Sequence, residues 1–188
     1  MTLHDKIAAV EEVMNTLDGA VRDFQTWSGL TCKVGCGKCC IKPDIEATIL
    51  EFLPLADYLY TSGVAEEWLE KVSSHSSPLC ALLDQTAVTG MCTHYKYRGL
   101  ICRLFGYSAR VNKYSHRELV TCHTIKTEQS DKFASVTASL VDQPVPVTSH
   151  YYMQLHGIDF EMAREFFPIN EAIKRALQVI LQYYAYRS

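Results

Sequence analysis

The chain has 188 residues, a formal charge of −3, and 48% hydrophobic against 21% charged content. That is enough for one sizeable core, so a single domain over residues 1–188 is expected. The weak net charge offers no general attraction to nucleic acid or to an anionic bilayer, and no window reaches the roughly eighteen successive apolar residues of a membrane span.

Leu3, Ile7, Val10, Met14, Leu17, Val21 and Phe24 alternate steps of four and three, the seam a helix lays along one face, which predicts a helix over residues 3–27. Thr2 and Asp5 stand at capping-box spacing, and Ser28-Gly29 supplies the stop. The seam is expected to pack against another helix of the same chain. Next comes TCKVGCGKCC, residues 31–40, which crowds Cys32, Cys36, Cys39 and Cys40 together. Pro43-Asp44 then opens a second expected helix carrying Ile45, Ile49, Phe52, Leu53 and Ala56, kinked or divided at Pro54.

A shorter helix is expected from Ala65 to Val72. The tract SSHSSP, residues 73–78, reads as a loop delivering Cys80, with His75 solvated rather than a ligand. Between Cys80 and Cys122 the helical period fades. Thr89-Gly90 marks a turn, and residues 107–111 and 118–121 read as short strands joined across NKYSH. Residues 127–150 carry one weaker helix, near Lys132 to Leu140, and then the extended link QPVPV. Pro168 and Asn170 introduce a last amphipathic helix with Ile173, Leu177, Ile180, Leu181 and Tyr184, expected to pair with the first one. Tyr183, Tyr184 and Tyr186 are read as packing residues rather than a binding surface.

The N-terminus mixes Glu, Asp and Lys through its apolar positions, unlike a secretion signal, so a cytoplasmic protein is expected. In a reducing compartment, clustered cysteines point to metal or redox chemistry rather than to disulfides. Thiolates are soft, strong donors that repel one another unless a cation such as zinc or an iron–sulfur core neutralises them. Gly35 and Gly37 beside Cys36 permit the curvature that wraps a metal, and Lys33, Lys38, Arg98 and Arg103 stand beside cysteines to offset residual negative charge. The candidate ligands are Cys32, Cys36, Cys39, Cys40, Cys80, Cys92, Cys102 and Cys122, foremost Cys36, Cys39, Cys40, Cys80, Cys92 and Cys102.

Adjacent Cys39 and Cys40 are not expected to turn easily toward one metal, which leaves a polynuclear cluster, two neighbouring sites, or one ligand beside one non-ligating thiol. His94 and His123 are read as non-ligands. Only Cys36 to Cys39 has zinc-knuckle spacing, whereas a compact run followed by distant cysteines suits an iron–sulfur cluster, preferably with four irons, ahead of zinc. Cys32, Cys36 and Cys39 reproduce the C-x3-C-x2-C spacing of radical S-adenosylmethionine enzymes, but no series of βα units accompanies it.

Cys36-Gly37-Lys38-Cys39-Cys40, an acid at Glu46, Cys80-x2-Leu83-Asp84, Cys92-x2-Tyr95-x2-Arg98 and Cys102-Arg103 together resemble the CxxCxxCC family of zinc- or iron-chelating proteins. The resemblance covers residues 32–122, with Cys122 similar to the family's late cysteine after a short hairpin. Two departures stand out. Cys32 to Cys36 is one residue longer than the usual opening pair, and Arg98-Gly99 replaces the Arg-Pro that members tend to carry.

The flagellin lysine N-methylases belong to the same broad family. They imply an iron–sulfur cluster working with S-adenosylmethionine on a protein substrate, in considerably longer chains. No residue here is assigned a catalytic role. The expected molecule is mainly α, with helices around an irregular cysteine-rich metal-binding centre and a small β-hairpin. Its function is metal or cluster binding. It is either a cluster-dependent, methyltransferase-like enzyme that modifies a protein, or a zinc-stabilised interaction module or redox accessory protein without catalysis.

Overall fold

In the computed structural model, which describes residues 1–32, 37–84, 92–140 and 143–187, the chain is mainly α. The first helix, α1 (Leu3–Ser28), carries the expected capping box, with Asp5 N–H donating to Thr2 and the Asp5 carboxylate accepting from Thr2 N–H at 2.8 Å. It ends at Gly29 in the left-handed region (φ 63°), where glycine carries no steric penalty. Ile7, Val10, Met14, Leu17 and Phe24 of the seam are buried.

Residues 45–56 correct the expected second helix. Glu46–Ala47 form a short strand, β1, Leu50–Phe52 a 3-10 turn, and only then does α2 (Leu53–Thr61) begin. Pro54 sits in the first turn of α2, where its missing N–H leaves no helical bond unmade, so it starts the helix instead of kinking it. α3 (Ala65–Ser74) follows as expected. His75 is half-buried rather than solvated, with Nε2 2.9 Å from the Leu79 carbonyl. The Thr89-Gly90 turn lies outside the described residues.

α4 (Leu100–Leu104) precedes the predicted hairpin, β2 (Ser108–Val111) against β3 (Arg117–Val120), in the register Ser108↔Val120 to Val111↔Arg117. α5 (His123–Glu128) and α6 (Ser130–Ala138) come next, then α7 (Thr148–Ile158) and α8 (Phe160–Ala163), which the sequence had not revealed. β4 (Phe167–Pro168) pairs antiparallel with β1 and leads directly into α9 (Ile169–Ala185).

The principal partners of α9 are α2 and α3 rather than α1, and α1 lies against α2, α4 and α7. α9 reaches α1 near the ends, where His4 stands 3.0 Å from the Tyr184 hydroxyl. Tyr184 stacks on Tyr60 and donates to Asp57 at 3.1 Å, whereas Tyr186 is exposed. Two apolar clusters result. One joins α1, α2, α4, α7 and α9, and the other gathers Phe24, Leu30, Tyr107, Ile125 and Leu140 around the hairpin. No helix among the described residues is long and apolar enough to cross a membrane.

Candidate metal centre

The cysteine run is shaped by a tight turn. Gly37–Cys39 is a 3-10 turn, closed by the Cys40 N–H donating to the Gly37 carbonyl at 2.8 Å. In an extended chain neighbouring side chains point to opposite faces. Here the turn sets them side by side, with the Cys39 and Cys40 Sγ atoms 3.9 Å apart. The Cys39 thiol is drawn down to about 6, chiefly by the hydrogen bond from Cys40, with Arg98 adding to the effect. Cys40, as the donor, is held far above the usual thiol range, first by that bond and then by burial.

Cys80 and Cys92 arrive on two segments tied by an isolated bridge between Leu83 and Cys92. Thr93 N–H and Oγ1 both donate to the Leu82 carbonyl, at 2.8 and 3.2 Å. Burial pushes the Cys80 thiol up to about 11, opposed by the Leu82 N–H and reinforced by Cys92 and Cys39. Burial also raises Cys92, opposed by the His94 N–H and by Arg98. Cys102 stands on α4 and is raised by burial first, then by Cys80 and Glu51. Cys39, Cys40, Cys80, Cys92 and Cys102 thus come from four separate stretches of chain and stand within electrostatic reach of one another, with Arg98 beside three of them.

α4 is held from both ends. Glu51, 2% exposed, accepts from Thr48 N–H at 2.9 Å and Thr48 Oγ1 at 3.2 Å, and its other oxygen accepts from the Ile101 N–H at 3.3 Å. Burial pushes this carboxyl up to about 7 against those donated hydrogen bonds. Gly99 lies so close beneath that a Cβ there would meet Phe52 Cζ at 2.9 Å and Glu51 Oε2 at 3.1 Å. Arg103 is buried, pairs with Asp18 of α1, and donates to the Lys96 carbonyl and, at 3.0 Å, to the Arg98 carbonyl. The two motif arginines therefore divide the work: Arg103 braces the scaffold, and Arg98 supplies positive charge to the thiols while stacking on Tyr95 at 3.7 Å.

The remaining candidates fall elsewhere. Cys122 caps α5 by accepting from the Ile125 N–H at 3.3 Å, and both Cys122 and the exposed Cys32 act electrostatically on Tyr107, beside the second apolar cluster. Cys36, Gly35 and Lys33 lie outside the described residues. Lys38 turns to Thr124 at 3.5 Å. The His94 ring is taken up by Thr93 Oγ1 at 2.9 Å and an edge contact to Trp68, and His123 is exposed. Among the described residues, no group of three or more His, Cys, Asp or Glu side chains stands at metal-holding distances.

The donor set nevertheless suits a soft cation. Two sulfurs on one tetrahedral zinc, each at ~2.3 Å, lie about 3.8 Å apart, against 3.9 Å between Cys39 and Cys40. The buried thiols resist ionisation first because burial disfavours the charge and then because each negative charge opposes its neighbours, and a bound cation counters both.

Residues 31–135 match the CxxCxxCC family, described as a proposed zinc- or iron-chelating domain, over more than half of the chain. The chain belongs to the CxxCxxCC family. Metal binding, as a zinc- or iron-chelating domain, follows from that membership. No curated protein and no solved structure matches it.

The CxxCxxCC match includes every cysteine and ends within α6, so α1, α7, α8 and α9 are elements outside it. Glu46 is exposed in β1, whereas the buried acid beside the thiols is Glu51. Its signal was a charge inside the apolar run ILEFL, where an unpaired carboxylate is costly. Tyr152 was also missed. Its hydroxyl is raised by burial, and the charges of Glu51 and Cys102 add to that.

Proposed function

We propose that the chain binds an iron–sulfur cluster of the four-iron type, held by thiolates drawn from Cys36, Cys39, Cys40, Cys80, Cys92 and Cys102. Cys32 and Cys122 are outlying thiols near Tyr107. The single observation that carries this reading is the gathering of five thiols from four stretches of chain, three of them beside Arg98. Four thiolates hold a four-iron cluster, which the five thiols can supply, and a compact run followed by distant cysteines is a known pattern of cluster ligation. When bound, the cluster supplies one-electron chemistry. The chain's own residues bury Cys80 and balance negative charge beside Cys39, Cys92 and Cys102 through Arg98.

A second reading, a single zinc ion, is favoured by the 3.9 Å separation of the Cys39 and Cys40 sulfurs. In that case the metal stabilises an interaction module or accessory protein.

The catalytic form of the cluster reading is a protein-modifying, methyltransferase-like activity with S-adenosylmethionine as co-substrate. A cavity of about 240 Å³, lined by Glu11, Asp18, Glu51, Lys96, Arg98 and Arg103 among others, shares Arg98 with the thiol group and offers a polar ligand a place beside it.

Anaerobic purification followed by iron, sulfide and zinc analysis with visible absorption tests the assignment. A brown protein with matching iron and sulfide is expected. A colourless protein with one equivalent of zinc overturns the cluster in favour of the ion, and a protein without either metal overturns both. Calorimetric titration with S-adenosylmethionine tests the catalytic form, and absence of binding removes it.

A further inference from the structure

Cys80 sits in a stretch with no helix or sheet ladder of its own, so the backbone groups on either side of it need partners from elsewhere. One side chain provides both. Asn170 Oδ1 accepts from the Ala81 N–H at 2.8 Å, and Asn170 Nδ2 donates to the Leu79 carbonyl at 2.8 Å. This is the pairing a neighbouring strand would make, delivered by one amide across the residue before and the residue after Cys80. His75 Nε2 meets the same Leu79 carbonyl at 2.9 Å. Because a carbonyl only accepts, His75 carries its proton on Nε2 there.

Asn170 is itself held in place. It is the second residue of α9, and the Ile169 N–H donates to the Ile45 carbonyl at 2.9 Å, continuing the β1 and β4 pairing in which Glu46 opposes Pro168 and Ala47 opposes Phe167. The start of α9 therefore grips two stretches at once: the one that follows Cys39 and Cys40, and the one that carries Cys80.

We infer that Asn170 is a positioning residue for the metal centre, fixing the backbone on both sides of Cys80 so that its sulfur faces the other thiols. This inference rests on Cys80 being a ligand, as proposed above. It makes α9, which lies beyond the matched residues 31–135, part of the centre.

The test uses the full chain, freed of metal under reducing conditions and titrated with Co²⁺ alone. The intensity of the sulfur-to-cobalt charge-transfer band counts bound thiolates, and chelator competition gives affinity. Asn170→Ala is expected to lower Co²⁺ affinity by roughly 10- to 100-fold, as loss of an outer-shell partner does, and to remove about a quarter of the band, one thiolate of four. Asn170→Asp keeps the acceptor for Ala81 but loses the donor to Leu79. It is nearly isosteric, guards against a folding failure of the alanine variant, and is expected to fall between it and the native chain.

Lys6→Met, which removes the Lys6 to Asp159 ion pair at 2.5 Å, serves as the stability control and is expected to lower the melting temperature without changing the band. If both Asn170 variants melt earlier yet keep the native band and affinity, Asn170 is merely structural and the inference is overturned. Cys80→Ser separates the two levels. If it too keeps the full band, the ligand assignment fails and takes the inference with it; if it loses a thiolate while the Asn170 variants do not, Asn170 alone is ruled out.

Discussion

The Cys39 and Cys40 sulfurs lie 3.9 Å apart and share one proton between them, which lowers the pKa of one thiol, Cys39, and raises that of its neighbour. One hydrogen bond produces both effects: it stabilises the Cys39 thiolate and must be broken before Cys40 can ionise.

In reduced, metal-free protein, limited iodoacetamide at pH 6.5 is therefore expected to label Cys39 ahead of the more exposed Cys32, with an inflection near pH 6, because the thiolate is the nucleophile. Cys80 and Cys102, both shifted upward by burial, are expected to stay unlabelled. Peptide mass spectrometry across pH 5 to 9 reads the order. Labelling of Cys32 first, or Cys39 labelling that rises only above pH 8, contradicts the shared proton.

Arg103 and Asp18 are eighty-five positions apart, and their pair ties α1 to α4, which carries Cys102. Asp18→Ala leaves a buried guanidinium with its two carbonyl partners but no counter-charge. Loss is expected at about 2 to 3 kcal/mol, below the ~3 to 5 typical of a fully buried pair, because 32% of the Asp18 side chain still meets water. Urea unfolding measures it. A change under about 0.5 kcal/mol, the scale of an ordinary surface substitution, means that the pair does not brace α4.

How far the sequence reached depended on whether a pattern was local. The seam of α1, its capping box and the hairpin were legible because each is specified by residues a few positions apart. Residues 45–49 were not. Ile45 and Ile49 fit a helical period, but β1 is drawn out by pairing with Phe167 and Pro168, a contact across more than a hundred residues. α9 read correctly as a helix and wrongly as a partner of α1, since amphipathicity names a buried face without naming what covers it. α7 escaped notice because its buried face is little more than Tyr151 and Leu155. The thiols were legible as a set from their chemistry. Their division, with Cys122 capping α5 near Tyr107 and five others gathered together, follows from packing that spacing does not encode.

Glu51 gives the protein a pH-dependent stability of known sign. Its carboxyl has an ordinary value of 4.5 and rises to about 7 on folding because burial disfavours the charge. Below pH 4.5 both states are protonated and the contribution is complete. Between 4.5 and 7 only the unfolded chain releases the proton, so stability falls with rising pH, and above 7 the loss is complete, at about 3 kcal/mol for a shift of this size. Glu51→Gln removes this dependence. The native chain's stability relative to the variant is expected to decline from pH 4.5 to 7 and then level off in chemical denaturation of metal-free protein. A difference that stays flat over that range, or grows, shows that Glu51 is already ionised when buried.

Gly99 stands where the resemblance leads one to expect a proline after Arg98. Its φ of −61° already suits proline, and a proline in an unstrained position stabilises by limiting the unfolded chain. Space decides otherwise. Any side chain at this position drives its Cβ to 2.9 Å from Phe52 Cζ and 3.1 Å from Glu51 Oε2, and neither can retreat: Phe52 is fully buried, and Glu51 is fixed by Thr48 and Ile101. Both Gly99→Ala and Gly99→Pro are therefore expected to destabilise, by about 1 to 3 kcal/mol, the usual cost of overpacking. Phe52→Leu should restore part of the loss in the double variant by shortening the ring that blocks the site. Thermal unfolding of the singles and the double resolves this. A Gly99→Pro chain that melts above the native one means that the backbone gain outweighs the contact, and that the site relaxes around Phe52 more freely than its burial implies.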